Sequence, residues 1–236
     1  MKVAIIGYGK MGKAIEEILV EREHEVIARF GQEGLDESTL ANADVAIEFS
    51  RPEAAFSNIS SCIALKVPVV IGTTGWLQHY QEAADLCRAK QSAMLFASNF
   101  SLGVNLFFAL NQRLAQLMAP YEYDVNICET HHTEKKDAPS GTAITLAEQI
   151  QEFVSAKTGW TLDAPTGPEQ IQIEAIREPE VPGTHRVQYD SEIDQIEIIH
   201  RAKNRKGFAL GAVLAAEFLA GKTGVYTMQD VLKINA

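Results

Sequence analysis

The stretch "KVAIIGYGKMG", residues 2–12, decides the fold of this chain. Its apolar, β-branched run at 2–6 ends at a glycine, which is typical of a buried parallel strand. Gly7, Gly9 and Gly12 follow in the spacing G-x-G-x-x-G and lead into an amphipathic helix pattern. Glycines are required where such a turn is tight and where backbone approaches a pyrophosphate at a helix N-terminus. The stretch predicts nucleotide binding, although a glycine-rich turn needed only for strand–helix packing would have the same sequence.

Strand-like and helix-like segments alternate over the first hundred residues. The further strand patterns of this part lie at 25–29, 44–49, 67–72 and 93–97. Helical patterns separate them, and one of these begins at Pro52. Alternation of this kind indicates a parallel sheet with helices on both faces. We therefore predict an α/β protein whose residues 1–100 form a Rossmann-like, doubly wound dinucleotide-binding domain.

The pattern changes after residue 100. A long apolar helix is predicted at 102–118, and several strand patterns then follow one another at 171–177, 185–190 and 195–202. Consecutive strands with turn signals between them favour an antiparallel or mixed sheet. We expect a central α+β domain at 101–204. The segment 205–236 is predicted to form helices that return to the first domain.

Composition excludes several classes of partner. The chain has 31 acidic and 21 basic residues and a net charge of -10, whereas a general nucleic-acid binder is basic or carries a basic stripe. No apolar run approaches the 18 residues of a membrane span. The three cysteines show no metal or redox spacing and are typical of reduced cytosolic thiols. We expect a cytoplasmic protein that binds neither nucleic acid nor membrane, and an anionic ligand would need locally clustered cations.

Two further segments bear on a nucleotide ligand. An acid that takes the ribose hydroxyls of NAD is expected at the end of the second strand, but Arg29 stands there. An arginine favours the 2′-phosphate of NADPH, although a surface arginine without a ligand is nearly as compatible. The segment "GTTG" at 72–75 follows the fourth strand at the ligand-binding edge of the sheet. Its small residues would let backbone groups touch a flat ring, or they form an ordinary polar turn.

The segment "ETHHTEKKDAPSGTA", residues 129–143, carries the strongest chemical signal. Because side chains alternate along a strand, the adjacent His131 and His132 point to opposite faces and are poorly placed to hold one metal ion. Only Glu129 is a further ligand candidate nearby, so we predict no metal site. Proton transfer or hydrogen bonding is the favoured role of the histidines.

The second half of the same segment predicts a helix start. Ser140 is a natural N-cap, and Gly141 and Thr142 begin a helix whose predicted apolar face is Ile144, Ala147, Ile150 and Val154. Free N–H groups and the helix dipole at such a start favour an anion such as a carboxylate. Lys135 and Lys136 add positive charge. The segment indicates a pocket that binds an anionic substrate while a histidine or lysine handles a proton, or else a capped helix with solvated lysines.

The whole segment closely resembles the signature of the 4-hydroxy-tetrahydrodipicolinate reductase (dihydrodipicolinate reductase) family. Other segments resemble family segments in family order, namely "GYGKMG", "EFSRPEA", "VIGTTG", "NFSLGVN", "IREPEVPGTH" and "IEIIHRAKNRKGFALGAV". The resemblance implies an enzyme that uses NADPH or NADH to deliver hydride to a cyclic dicarboxylate imine in diaminopimelate and lysine biosynthesis. It also implies that the central domain at 101–204 is a substrate-binding and oligomerisation domain, with a homotetramer built through its sheet.

Residue roles follow from the resemblance by position. His131 is implied as the general acid that protonates C3 of the substrate, with Lys135 as its cationic partner. The implied substrate contacts are His132, Ser140, Gly141, Thr142 and Arg205. The implied cofactor contacts are Gly7, Lys10, Met11, Gly12, Gly72, Thr74, Ser98, Asn99 and Phe100.

The chain departs from the family pattern in two places, and two other functions remain open. The glycine loop reads Gly-Tyr-Gly-Lys-Met-Gly where many members carry Gly-Ala-x-Gly-x-Met-Gly, and the second strand lacks the acid of NADH-preferring members. One alternative is another Rossmann dehydrogenase, of the sugar or semialdehyde type. The other is a non-catalytic dinucleotide sensor, which would not need histidine, lysine and an anion-binding helix start together.

Overall fold

The computed structural model describes residues 1–165, 167–204 and 206–234. The chain forms two compact units. The first comprises Met1–Leu102 together with the segment from Lys206 onward, and the second is the intervening chain from Gly103. Each unit has a sheet and a hydrophobic core of its own.

Strands and helices alternate up to residue 100. Their bounds are β1 Lys2–Ile6, α1 Lys10–Glu21, β2 Glu25–Phe30, α2 Glu37–Leu40, β3 Val45–Glu48, α3 Pro52–Ala64, β4 Val69–Ile71, a 3₁₀ turn Leu77–His79, α4 Tyr80–Lys90 and β5 Ala93–Phe96. The later elements are α5 Leu102–Met118, β6 Asp124–His131, α6 Gly141–Phe153, β7 Gly159–Thr161, β8 Gln170–Arg177, β9 Thr184–Asp190, β10 Gln195–Arg201, α7 Lys206–Leu219, β11 Gly224–Tyr226 and α8 Met228–Leu232.

The first unit is built on a six-stranded parallel sheet. Its strand order is β11-β5-β4-β3-β1-β2, and every described pairing is parallel. Buried residues of α1 and α7 pack on one face, and those of α3 and α4 pack on the other. The predicted doubly wound, Rossmann-like α/β fold is therefore confirmed. The edge strand β11 was not predicted.

The second unit is built on a five-stranded sheet in the order β10-β9-β6-β8-β7. β8 runs parallel to its neighbours β6 and β7, whereas β9 is antiparallel to β6 and β10. The sheet is thus mixed, as expected for the α+β part. Buried residues of α5 and α6 cover one of its faces.

The predicted apolar face of α6 was correct at Ala147 and Ile150 and wrong at Ile144 and Val154. The buried aliphatic positions are Ala143, Leu146, Ala147 and Ile150, which follow the i, i+3, i+4, i+7 spacing. Ile144 is only half-buried, and Val154 lies beyond the end of the helix as its C-cap.

Among the described residues, no helix has the length and apolarity needed to cross a membrane.

The packing of α7 against the segment after β5 depends on a missing side chain. A Cβ on Gly211 would lie 1.6 Å from the carbonyl oxygen of Phe100, whereas one on Gly207 would have Ser101 Oγ, at 3.6 Å, as its nearest contact among the described residues outside its own helix. We expect Gly211→Ala to lower the free energy of unfolding by about 1–3 kcal/mol or more, because the backbone must move to make room for the methyl group. Gly207→Ala, the matched control on the same helix, should be neutral or stabilising by roughly 0.5–1 kcal/mol. Urea unfolding measures both, and equal stabilities would contradict the close approach.

Candidate active site

The turn between β1 and α1 requires a glycine at its first position. Gly7 has φ of +95°, and a Cβ there would lie 2.1 Å from the carbonyl oxygen of Phe49. Gly9, the N-cap of α1, has no atom within 4 Å of the position that its Cβ would occupy. Backbone is therefore accessible beside the first turn of α1, whose N–H groups lack partners within the helix. This geometry suits a phosphate group.

Two clefts open at the carboxyl ends of the parallel strands. One, of about 370 Å³, is lined in part by Gly7, Tyr8, Gly31, Ser50, Arg51 and Asn58. The other, of about 250 Å³, is lined in part by Met11, Phe49, Ser50, Gly72, Thr73 and Thr74. They lie where the strand order reverses between β1 and β3, the position at which open α/β sheets bind their ligands. The structure thus brings the predicted Gly7, Gly9, Met11, Gly72 and Thr74 to one edge of the sheet, with Lys10 exposed at the start of α1.

Arg29 is not a free cation. Its Nε donates to the carboxylate oxygens of Glu16 at 2.9 and 3.0 Å, and the hydroxyl of Tyr8 donates to the same carboxylate. The hydrogen bonds from Arg29 and Tyr8 lower the pKa of Glu16. A 2′-phosphate would therefore have to share the guanidinium with Glu16 or displace it.

Sequence reasoning missed several residues that shape the clefts. The N–H of Ser50 donates to Thr73 Oγ1 at 2.8 Å and to Glu48 Oε1 at 3.1 Å, and Asn58 donates to Ser50 Oγ at 3.1 Å. Glu48 is fully buried, and burial raises its pKa. These residues fix the connection between β3 and α3, which also carries Arg51. For Ser50, Arg51 and Thr73, the usable signal was their position shortly after a buried strand.

Strand β6 positions the central residues of the second unit. Val125, Ile127, Glu129 and His131 are all buried, and the residues between them are more exposed. The predicted alternation is therefore confirmed. His132 lies just past the strand end and is half-buried, so the two adjacent histidines are in different environments.

A buried carboxylate occupies the centre of this unit's polar cluster. Glu129 has no exposed surface and accepts the N–H of Ser140 at 3.0 and 3.2 Å. Its oxygens also lie 3.5 Å from Arg177 and 3.6 Å from both His131 Nδ1 and His185 Nε2. Burial disfavours the charge, but the contacts with His185 and Ser140 outweigh burial and lower the pKa of Glu129 to about 2. Glu129 is therefore ionised at neutral pH.

His131 is neutral in the free protein at neutral pH. Burial lowers its pKa to about 4, and the nearby His185, Lys135 and Arg177 act in the same direction. Glu129 opposes them. A Cβ on Gly183 would lie 3.2 Å from His131 Nε2, so the absence of a side chain there leaves room for the ring.

The loop between β6 and α6 is held by Arg177. Its guanidinium donates to the carbonyl oxygen of Asp137 at 2.7 Å and to that of Lys135 at 3.3 Å. Lys135 Nζ in turn lies 2.7 and 2.9 Å from the Asp137 carboxylate oxygens. The Lys135 ammonium is thus already paired, whereas the side chain of Lys136 is exposed.

The predicted helix start is confirmed. Ser140 is the N-cap of α6, and its Oγ accepts the N–H of Ala143 at 3.2 Å. The same Oγ lies 3.2 Å from His185 Nε2. Gly141 and Thr142 begin the helix, and first-turn N–H groups have no partner within it. The start of α6 can therefore receive an anion.

Family models cover almost the entire chain. The model described as "Dihydrodipicolinate reductase, N-terminus" matches residues 1–100, and the model described as "Dihydrodipicolinate reductase, C-terminus" matches residues 103–232. The chain belongs to the dihydrodipicolinate reductase family.

Relatives of this family cover the chain from end to end. A 4-hydroxy-tetrahydrodipicolinate reductase of Christiangramia forsetii is 53% identical over 235 residues, covering 98% of each chain. The enzyme of the same name from Neisseria meningitidis serogroup C is 35% identical and covers 100% of this chain and 98% of its own. A dipicolinate-bound dihydrodipicolinate reductase from Paenisporosarcina sp. TG-14 has the same fold, with a TM-score of 0.78 at 24% identity over 98% of both chains.

Ser98 and Phe100, which the resemblance to the dihydrodipicolinate reductases assigns to the cofactor, do not line either of the two clefts described above. Phe100 is 2% exposed, and its ring lies 5.6 Å from that of Phe49 in the core of the first unit, while Ser98 is exposed after β5. Their contact with a cofactor stays a prediction. Arg205 lies outside the described residues.

The sequence pattern did not indicate that Arg177 and His185 belong to the candidate site. His185 stands opposite Glu129 in the pairing of β6 with β9, and Arg177 stands opposite His131 in the pairing of β6 with β8. Ligand atoms of Glu129, His131 and His185 lie within 4.8 Å of one another, a spacing that could hold a metal ion. Because Arg177 and the Ser140 N–H already contact the carboxylate, the proton-transfer interpretation is favoured.

Proposed function

We propose that this chain is a 4-hydroxy-tetrahydrodipicolinate reductase, which reduces a cyclic dicarboxylate imine with a nicotinamide cofactor. The relatives carry that name, and it implies a role in diaminopimelate and lysine biosynthesis. The observation that carries the proposal is the pairing of a buried histidine, His131, with a helix start able to bind a carboxylate, within one family-specific segment.

The residues of the second unit would each perform one task. When bound beside the glycine turn, a reduced nicotinamide cofactor would supply the hydride for C4 of the conjugated imine. His131 then gives a proton to C3, and negative charge that develops on the substrate is stabilised by Lys135. The N–H groups of Gly141 and Thr142 bind one carboxylate, with Ser140 and His132 beside it. Arg205 is proposed as a further contact.

The protonation of His131 depends on the substrate. The imidazole is neutral in the free protein because its pKa is about 4. A bound dicarboxylate adds negative charge and raises that pKa. It also competes with Asp137 for Lys135, which would bring the ammonium to the ligand. We propose that His131 takes up its proton as the substrate binds, so that the acid is charged only in the complex.

The cofactor is a nicotinamide dinucleotide, and we propose that NADPH is preferred. The preference rests on Arg29 at the end of β2, where an acid would favour NADH. Glu16 limits this preference, because its carboxylate already binds the guanidinium. The clefts beside Gly7 and Thr74 would take the two halves of the dinucleotide.

We also propose a homotetramer that is built through the sheet of the second unit. One face of this sheet is covered by α5 and α6, while the opposite face carries half-exposed residues such as Asn126, Thr130 and Gln188. The edge strand β10 exposes Ile196 and Ile199. Light scattering should give four times the chain mass of 25.9 kDa. A monomer at micromolar concentration would contradict the assembly.

The reaction is tested by oxidation of NADPH and NADH with purified protein and substrate formed in situ by the preceding synthase. Oxidation that requires the synthase supports the reductase. Turnover of a semialdehyde or sugar instead would identify another Rossmann dehydrogenase. Cofactor binding without any turnover would indicate a dinucleotide sensor.

Replacing His131 tests the proton donor. We expect His131→Gln to lower kcat roughly 10²–10⁴-fold, the usual cost of losing a general acid. The Kd for dipicolinate, measured by calorimetry, should change much less. His79→Gln, at an exposed histidine of the first unit, is the control and should leave kcat unchanged. A wild-type kcat for His131→Gln would place the proton donor elsewhere.

Replacing Arg29 tests the cofactor preference. Arg29→Ala should lower kcat/KM for NADPH about tenfold, which corresponds to one lost charged contact of about 1.4 kcal/mol, and should leave the value for NADH nearly unchanged. Glu16→Gln should raise the NADPH/NADH ratio, because it releases the guanidinium. Arg22→Ala is the matched control, since Arg22 pairs with Glu217 and is the C-cap of α1, at the opposite end of that helix from the glycine turn. If the ratio of kcat/KM for NADPH to that for NADH is unchanged in Arg29→Ala, Arg29 only forms a surface ion pair with Glu16.

A further inference from the structure

Glu129 combines complete burial with an ionised carboxylate. Its side chain points to the inner face of β6 with Val125 and Ile127, where a charge without partners is very costly. The partners come from three other segments: the start of α6, β8 and β9. A neutral side chain of similar size would avoid this cost. Packing alone therefore does not explain why a charged residue occupies this position.

The carboxylate lies on one side of the His131 ring. His131 is the next inward residue on the same strand, and its Nδ1 lies 3.6 Å from Glu129 Oε2. Nδ1 is buried and has no hydrogen-bond partner among the described groups. When the imidazole is protonated, both nitrogens carry a hydrogen. Glu129 is then the anion next to the Nδ1 hydrogen, and Nε2 is the nitrogen that can serve a ligand.

The same carboxylate locates the start of α6. It accepts the N–H of Ser140, and Ser140 caps the helix through Ala143. His185 lies against both Glu129 and the Ser140 hydroxyl. The Glu129 carboxylate therefore lies next to both the His131 ring, which would donate the proton, and the α6 start, whose amides would hold a carboxylate.

We propose that Glu129 is a positioning residue for the reduction: it orients His131, favours the protonated form of that ring, and holds the α6 start in place. The proposal rests on the proposed function. The charged and titratable groups that face His131 are Glu129 on its own strand, Arg177 on β8, His185 on β9 and Lys135 on the following loop. Of these four, Glu129 favours a proton on His131, and the other three oppose it.

The variant Glu129→Gln separates charge from shape. Glutamine keeps the size and an oxygen that can accept the Ser140 N–H, but it removes the negative charge. We expect kcat at pH 7.5 to fall about 10–100-fold, equivalent to one or two units of pKa on His131. KM for the imine and Kd for dipicolinate should stay within about threefold.

The pH profile gives the sign of the effect. A general acid acts in its protonated form, so kcat declines as pH rises through the pKa of the acid in the complex. Without Glu129 that pKa is lower, so the decline should move to lower pH and activity should recover partly on acidification. Glu129→Asp keeps the charge at a longer distance and should give a profile between those of the wild type and Glu129→Gln. Glu148→Gln, at an exposed carboxylate of α6, is the matched control and should leave kcat and profile unchanged.

A direct titration keeps the test independent of turnover. The imidazole Cε1 proton of His131, assigned by its loss in His131→Gln, is followed by NMR in the dipicolinate complex. Its pKa should be lower in Glu129→Gln than in the wild type. If Glu129→Gln does not fold, the comparison of Glu129→Asp with the wild type replaces it, and a lower pKa with the longer ion-pair distance is expected.

The outcomes distinguish this inference from the proposed function. No turnover by the wild type, or a wild-type kcat in His131→Gln, contradicts the proposed function. A disabled His131→Gln with a normal kcat and pH profile in Glu129→Gln contradicts only the role of Glu129. A raised KM with unchanged pH profile would reduce Glu129 to a structural support of α6. In the double variant, Glu129→Gln should add little to the loss in His131→Gln.

Discussion

A carboxylate without access to water determines how the second unit is arranged around its polar cluster. An ionised group in that position must have charged or hydrogen-bonding partners. Glu129 obtains them from Ser140, Arg177 and His185, which lie on the α6 start, β8 and β9. Groups from the α6 start, β8 and β9 therefore converge on one charge.

The fold was predictable because its signals are local. The G-x-G-x-x-G spacing and the strand–helix alternation identify the doubly wound sheet without knowledge of any contact. Two strands escaped prediction for a physical reason. Gly159–Thr161 and Gly224–Tyr226 are three residues long, and they are strands only because β8 and β5 lie beside them. The apolar face of α6 was predicted wrongly at Ile144 because Leu146 and Ile144 are equally apolar, and only packing against the sheet decides which one is buried.

The candidate site was predictable only where it is contiguous in sequence. The histidine pair, the N-cap and the helix start lie within "ETHHTEKKDAPSGTA", so residue types and spacing indicated their roles. Arg177 and His185 reach the same cluster through strand pairing, and no local feature of "IREPEVPGTH" indicates the register. Glu16 likewise pairs with Arg29 across 13 positions. The sequence does not show which acid pairs with each cation, and this pairing determines whether the cation is free to bind a ligand.

These pairings explain how a chain of net charge -10 can bind two anionic ligands. Beyond about 10 Å, salt screens the overall charge, so only near groups matter. Yet three of the nearby cations are already matched, Lys135 with Asp137, Arg177 with Glu129 and Arg29 with Glu16. An arriving carboxylate or phosphate therefore exchanges one anion for another, and the net gain is smaller than the full attraction to a bare cation. No acidic residue lies in the first turn of α1 or of α6, although Glu129 already accepts the N–H of Ser140 at the α6 N-cap, so the first-turn N–H groups remain for a ligand. Much of the binding free energy should consequently come from backbone, and the cations should decide which anion is accepted.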